Sequence, residues 1–179
     1  GHGQVPPDRF IPVAERSTLI IDLEKWVLHD ACRTLARWQA DPALRHQHMA
    51  VNVSGRHLVE GDLLATVTEV LEITGADPRG LEIEITETHL LADFERANEI
   101  LTVLRRRGIS VAVDDFGTGY SSMAHLKRMP VQELKIDREF VKDLPTDADD
   151  RAIVGSIVAL ARTLDLSVVA EGVEDPVSL

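Results

Sequence analysis

Apolar positions recur at two periods along the chain, and the alternation between those periods predicts its elements. Leu19, Leu23, Trp26, Val27, Cys32, Leu35 and Trp38 fall at helical spacing and predict an amphipathic helix over 18–39. Before it stand Pro6, Pro7 and Pro12, each of which removes a backbone donor and restrains its predecessor, so 6–12 read as a structured loop. An apolar run over 49–53 reads as a buried strand. Leu58, Leu63, Leu64, Val67, Val70 and Leu71 then predict one helix over 56–74, broken by the Gly- and Pro-containing stretch 75–80. The cycle repeats with a strand over 81–86, a helix over 94–107 closed by Gly108, and a strand over 109–114. A short helix over 121–128, a strand over 131–137, a helix over 149–164 and a strand over 167–170 complete it.

Strands alternating with helices at these distances argue for an α/β fold with parallel pairing, because a parallel neighbour needs a crossover and a helix supplies it. An open doubly wound sheet and a (β/α) barrel both satisfy this pattern. No Gly-x-Gly-x-x-Gly fingerprint follows the first strand, which weakens the dinucleotide-binding option. With 179 residues, 44% of them hydrophobic, the chain can build one sizeable core, and one domain is expected. Lys+Arg 19 against Asp+Glu 30 gives a net charge of −11, which argues against sequence-independent binding to DNA, RNA or an anionic membrane. Cys32 has no second cysteine to pair with and reads as a buried small hydrophobe in a reducing compartment. No apolar run has membrane-spanning length and the start lacks the features of a signal peptide, so the chain reads as cytoplasmic.

The strand ends carry the chemistry. Asn52 lies near the end of the first strand, Glu84 and Glu87 at the second, and Asp114 and Asp115 at the third. Lys135 and Asp137 fall at the fourth, and Glu171 and Glu174 follow the fifth. In parallel α/β folds the carboxyl ends of the strands form one rim, so these residues are expected to converge there. Period two sets Glu82, Glu84 and Thr86 on one face and Leu81, Ile83 and Ile85 on the other. Each charge taken alone is equally well read as a solvated strand end in an ordinary ion pair; five successive strands ending this way point to a site. Clustered carboxylates must be protonated, paired or metal-bound. A set made of Asp, Glu and Asn favours Mg²⁺ or Mn²⁺ over zinc. The histidines His29, His46, His48, His57, His89 and His125 lack ligand spacing and read as surface or satisfied groups. In DDFGTGYSS over 114–122, two adjacent carboxylates enter a glycine-containing turn, as an active-site loop requires. The Asp-Phe-Gly tripeptide also occurs in protein kinases, but their glycine-rich loop, strand lysine and His-Arg-Asp segment are missing in the required order.

These strings, taken in order, resemble the EAL domain, a metal-dependent phosphodiesterase module that hydrolyses cyclic di-GMP to linear pGpG. They are FIPVAE over 10–15, WVLHDAC over 26–32, VNVS over 51–54, EITE over 84–87 and the 114–122 string, followed by LKIDR over 134–138, Phe140-Val141 and AEGVE over 170–174. The resemblance implies an α/β fold of TIM-like (β/α) barrel type, with Asn52, Glu84, Asp114 and Asp115 holding two Mg²⁺ or Mn²⁺ ions and Asp114 bridging them. It implies that Lys135 and Glu171 orient and deprotonate the attacking water, Glu171 being alternatively a metal ligand. Glu87 would brace the loop containing Phe116, Gly117, Thr118 and Gly119, which also serves substrate binding and a homodimer interface. Asp137 and Glu174 would support the inner shell. The Glu-Ala-Leu signature is expected ahead of Gly1 and a further strand-helix passage beyond Leu179. Since such barrels take about 250 residues, 1–179 are expected to form an incomplete barrel, a partial EAL domain of weak or no activity by itself. GGDEF or sensor domains are expected partners in the parent protein. A degenerate module that binds cyclic di-GMP or a protein without catalysis is the alternative.

Overall fold

The computed structural model describes residues 3, 5–119 and 123–173. Helices α1 (Pro7–Ala14) and α2 (Leu19–Ala40) precede strand β1 (Met49–Asn52), helices α3 (Gly55–Val59) and α4 (Leu63–Thr74), and a 3-10 turn (Pro78–Gly80). Strand β2 (Leu81–Thr86) is followed by α5 (Glu87–Ala92), α6 (Phe94–Arg106), β3 (Ser110–Phe116) and α7 (Met123–Leu126). The order ends with β4 (Glu133–Ile136), α8 (Arg138–Val141), α9 (Ala148–Thr163) and β5 (Ser167–Ala170).

All neighbouring strands pair in parallel, and their spatial order is β1-β2-β3-β4-β5, the order of the sequence. Every crossover therefore advances one strand in the same direction, without the reversal that defines a doubly wound sheet. The sheet segregates its faces by strict alternation. Leu81, Ile83, Ile85, Val111, Val113, Leu134 and Ile136 are at most 1% exposed and join helix residues such as Leu28, Leu35, Val67 and Leu101 in one core. Each such side chain contributes about 1.5–3 kcal/mol by leaving water. The opposite face carries Glu82, Glu84, Ala112, Glu133 and Lys135, so the charged rim is a consequence of the same period that builds the core.

Three expectations are corrected. Residues 6–12 are not a loop, since α1 runs through Pro12. Pro7 stands at the helix start, where its missing N–H would have had no partner, and Pro12 forfeits only the bond that its nitrogen would have made four residues back. The expected single helix over 56–74 is two, because Asp62 accepts from Ala65 N at 3.0 Å and restarts the chain as α4. Gly61 permits that corner, as a Cβ there would stand 2.6 Å from His57 Cδ2. The buried line of α2 is Ile20, Glu24, Leu28, Cys32 and Leu35, whereas Leu19 and Trp26 are 61% and 66% exposed. Helical spacing identified the helix, but the neighbour on which it packs selected the face. Among the described residues no helix is long and apolar enough to cross a membrane.

Candidate metal and phosphodiester site

The rim at the carboxyl ends of the strands gathers the predicted residues around one cation. Lys135 Nζ lies 2.5 Å from Glu171 Oε1, 2.9 Å from Glu84 Oε1 and 3.6 Å from Asp114 Oδ1. Ala112, between β2 and β4 on this face, presents only a methyl group and leaves room for Lys135 to reach Glu84 across β3. Asn52 pairs with Glu84 in the strand register and its Nδ2 donates to Glu84 Oε2 at 3.1 Å, leaving Asn52 Oδ1 as an acceptor with no hydrogen bond among the described residues.

Two consecutive carboxylates reach the same rim because β3 is bulged there. From Val113 to Phe116 is three steps on β3, whereas their partners Leu134 and Ile136 are two steps apart on β4. The extra residue interrupts the alternation that would turn Asp115 away from Asp114, and it still lets Phe116 return to the core at 7% exposure. Asp115 takes φ 52°, a left-handed conformation worth about 1–3 kcal/mol of strain for a residue other than glycine. Its backbone N–H donates to Asp114 Oδ1 at 3.1 Å, and its carbonyl accepts from Thr118 Oγ1 at 2.9 Å. Oxygens of Asp114, Asp115 and Glu171 all lie within 4.8 Å of one another.

The electrostatics follow from that crowding. Burial raises the Asp114 carboxyl above its ordinary range, and Glu171 and Glu84 push further while Lys135 opposes them. Burial likewise raises Asp115, with added repulsion from Asp114, Asp137 and Glu171. Burial by itself disfavours the Lys135 ammonium, but hydrogen bonds to Glu171 and Glu84 and the charge of Asp114 outweigh it and hold Lys135 protonated. Deeper on the same face, Glu82 is raised to about 6 by burial and by repulsion from Glu133 and Glu84.

The loop is held from beneath. Glu87 is 2% exposed, and its Oε2 accepts from Gly117 N at 3.1 Å and Gly119 N at 3.2 Å. Gly119 is needed for that approach, since a Cβ there would stand 2.7 Å from Glu87 Cδ. Gly117 takes φ 106°, which a side chain would strain. Asp137 accepts from Glu139 N at 2.7 Å as the cap of α8 and acts on the rim through its charge on Asp115. Glu174 lies outside the described residues.

A cleft of about 550 Å³ opens on the rim, with walls that include Ile11 of α1, Glu15 just after it, Glu24 of α2, and Asn52, Asp114 and Asp115. Sequence reasoning missed two members of this wall. His89 is expected to be a surface or satisfied histidine, yet its Nδ1 is buried without a hydrogen-bond partner among the described residues, and its Cβ, Cγ and Cδ2 lie so close to Gly55 that a Cβ there would stand 2.9 Å from each. Glu24 was submerged in a helical pattern. Its signal was a carboxylate on the buried line of an amphipathic helix, legible only once that line was known.

The EAL domain family model matches residues 1–179. The bifunctional diguanylate cyclase/cyclic di-GMP phosphodiesterase MucR of Pseudomonas aeruginosa is 43% identical over 173 residues, covering 97% of this chain and 25% of MucR. The cyclic di-GMP phosphodiesterase NbdA of the same organism is 42% identical over 177 residues, covering 99% of this chain and 22% of NbdA. The chain thus spans about a quarter of the length of the curated relatives it matches. Among solved structures, the PaMucR phosphodiesterase in complex with c-di-GMP superposes with a TM-score of 0.93 at 42% identity, over 99% of this chain and 71% of that one. The EAL enzyme Bd1971, in its cAMP- and cyclic-di-GMP-bound form, gives 0.92 at 32% identity, over 99% of this chain and 49% of that one. Parallel sheet, carboxylate rim and near-complete sequence match agree, and the chain belongs to the EAL domain family.

Proposed function

We propose that this chain carries the metal- and water-handling part of a site that hydrolyses cyclic di-GMP to linear pGpG with Mg²⁺ or Mn²⁺, within a (β/α) barrel of which the five strands are a portion. The observation that carries the reading is the meeting of Asp114, Asp115 and Glu171 within 4.8 Å beside Lys135, in a chain whose relatives are named as cyclic di-GMP phosphodiesterases. The donors fit a hard divalent ion, because they are all oxygens and two of them are raised by burial and mutual repulsion that a cation relieves. Asn52 Oδ1 and Glu84 would complete the set. Bound divalent ions supply water activation, neutralisation of the phosphate and stabilisation of the leaving oxygen.

The chain's own groups then have distinct tasks. Lys135 stays protonated, so it orients and offsets charge and is not the base. Glu171, a third exposed at its side chain and held by Lys135, takes the proton of the attacking water. The water oxygen bonds to phosphorus as the P–O3′ bond breaks, and the departing oxygen takes a proton from solvent water and leaves as a hydroxyl, while Glu171 returns its proton to solvent. Glu87 keeps the loop over the rim in place through Gly117 and Gly119.

Cyclic di-GMP incubated with Mg²⁺ or Mn²⁺ tests the reading, using this chain beside a version extended at both ends along its own gene. Linear pGpG from the extended protein is expected, and Glu171→Gln in it should abolish turnover. No product from either protein overturns the enzymatic reading. A receptor without catalysis draws support from Glu84, whose two oxygens are already engaged by Lys135 and Asn52; its signature is binding of cyclic di-GMP by the extended protein with no product.

A further inference from the structure

Asn52 sits at the end of an edge strand, with β2 as the only paired neighbour of β1 in the described sheet. On the β2 side the chain leaving it is tied by Val53 N, which donates to Glu84 O at 2.9 Å. The other tie comes from α2. Ser54 N donates to Glu24 Oε1 at 2.8 Å, and His57 Nδ1 lies 2.9 Å from Glu24 Oε2, so both oxygens of one buried carboxylate are used. Ser54 Oγ accepts from His57 N at 3.2 Å and starts α3, while His57 Nε2 lies 3.5 Å from Thr66 Oγ1 of α4. His57 is fully buried and Glu24 is 7% exposed. The network therefore joins α2, α3 and α4 to Ser54, two residues after Asn52.

A buried carboxylate-imidazole pair is a poor device for stability alone, since apolar side chains of similar volume serve at least as well. An apolar side chain, however, offers no acceptor to Ser54 N–H, and that N–H fixes where the chain leaves β1. We propose that Glu24 and His57 are positioning residues for Asn52, holding its amide against Glu84 with Oδ1 directed to the rim. As a statement about a metal ligand, this rests on the phosphodiesterase reading. As a statement about geometry it does not.

The chain contains two asparagines, Asn52 and Asn98, so ¹⁵N-asparagine labelling yields two side-chain amide pairs, one at the rim and one on α6 as an internal reference. Glu24→Leu, Glu24→Gln and His57→Gln are compared with the unsubstituted chain at a temperature where circular dichroism shows each folded, and Mn²⁺ binding is titrated in parallel. Glu24→Leu and His57→Gln are expected to move or broaden the Asn52 pair, leave Asn98 in place and raise the Mn²⁺ dissociation constant about 10–100-fold. Glu24→Gln, whose amide oxygen still accepts from Ser54 N, should recover most of both effects. If Glu24→Leu does not fold, His57→Gln and the contrast with Glu24→Gln carry the same readouts. An unmoved Asn52 pair in folded His57→Gln overturns the positioning role, whatever the melting temperature does. A shifted Asn52 pair in a chain that binds no Mn²⁺ leaves the positioning role standing and sinks the metal reading.

Discussion

Replacing Lys135 by Met removes the ammonium that touches three rim carboxylates while keeping an unbranched chain of similar length. At an effective dielectric of about 20, opposite charges 4 Å apart attract by about 4 kcal/mol. The contacts of Lys135 to Glu84 at 2.9 Å, Asp114 at 3.6 Å and Glu171 at 2.5 Å are each at least that close. Gross attraction of about 12 kcal/mol is mostly offset by the cost of burying the ammonium, and breaking such a buried pair costs about 3–5 kcal/mol net. The Glu171 side chain is 33% exposed and its share is reduced by solvent, so about 3–4 kcal/mol is expected at neutral pH. With a urea slope of about 2 kcal/mol/M, the midpoint should fall by about 1.5–2 M.

The pH dependence separates charge from packing. Asp114 and Asp115 have folded pKa values above their ordinary ones, so the folded state holds more protons in the window between the two. Their ionisation costs stability as pH rises through that window, and acidification relieves it. Lys135 opposes this upward shift, so Lys135→Met widens the window and its deficit should shrink between neutral pH and a pH near the ordinary carboxylate value. Urea unfolding of both proteins at the two pH values provides the measurement. A deficit equal at both, or one below about 1 kcal/mol at neutral pH, would refute the electrostatic account.

Other consequences concern the loop and the core. Glu87→Ala leaves Gly117 and Gly119 without their charged acceptor; a loss of about 2–4 kcal/mol and faster cleavage within 116–119 by a broad-specificity protease are expected. Gly119→Ala should act in the same direction by displacing Glu87, yet cost little in the Glu87→Ala background. A double-mutant cycle by urea unfolding should therefore show coupling above about 1 kcal/mol, and additive losses would contradict the contact. Burial pushes the Cys32 thiol up to about 11, so a disulfide reagent at pH 8 should label the native chain about 100-fold more slowly than the urea-unfolded chain.

The identity of the strands and the convergence of their ends were legible in the residues. Strands β2 and β5 and the bulk of α2, α6 and α9 follow their apolar periods to within a residue or two. The polar ends Glu84, Asp114, Asp115, Lys135 and Glu171 meet because parallel strands share one carboxyl rim. Period two and period 3.6 are local properties, and one chain carries them unaided.

What the sequence could not decide depends on partners remote along the chain. The choice of sequential over doubly wound strand order lies in crossovers, not in any strand. The β3 bulge, which sends Asp114 and Asp115 to one rim, is a register relation with Leu134 and Ile136 and has no local period. Whether Trp26 or Glu24 faced inward was set by what packs on α2, and the link from Glu24 to Ser54 and His57 spans some thirty residues. Pattern thus determined the elements and the chemistry at their ends, while tertiary packing decided register, helix face and the hydrogen bonds that aim each ligand, because those energies exist only between segments already brought together.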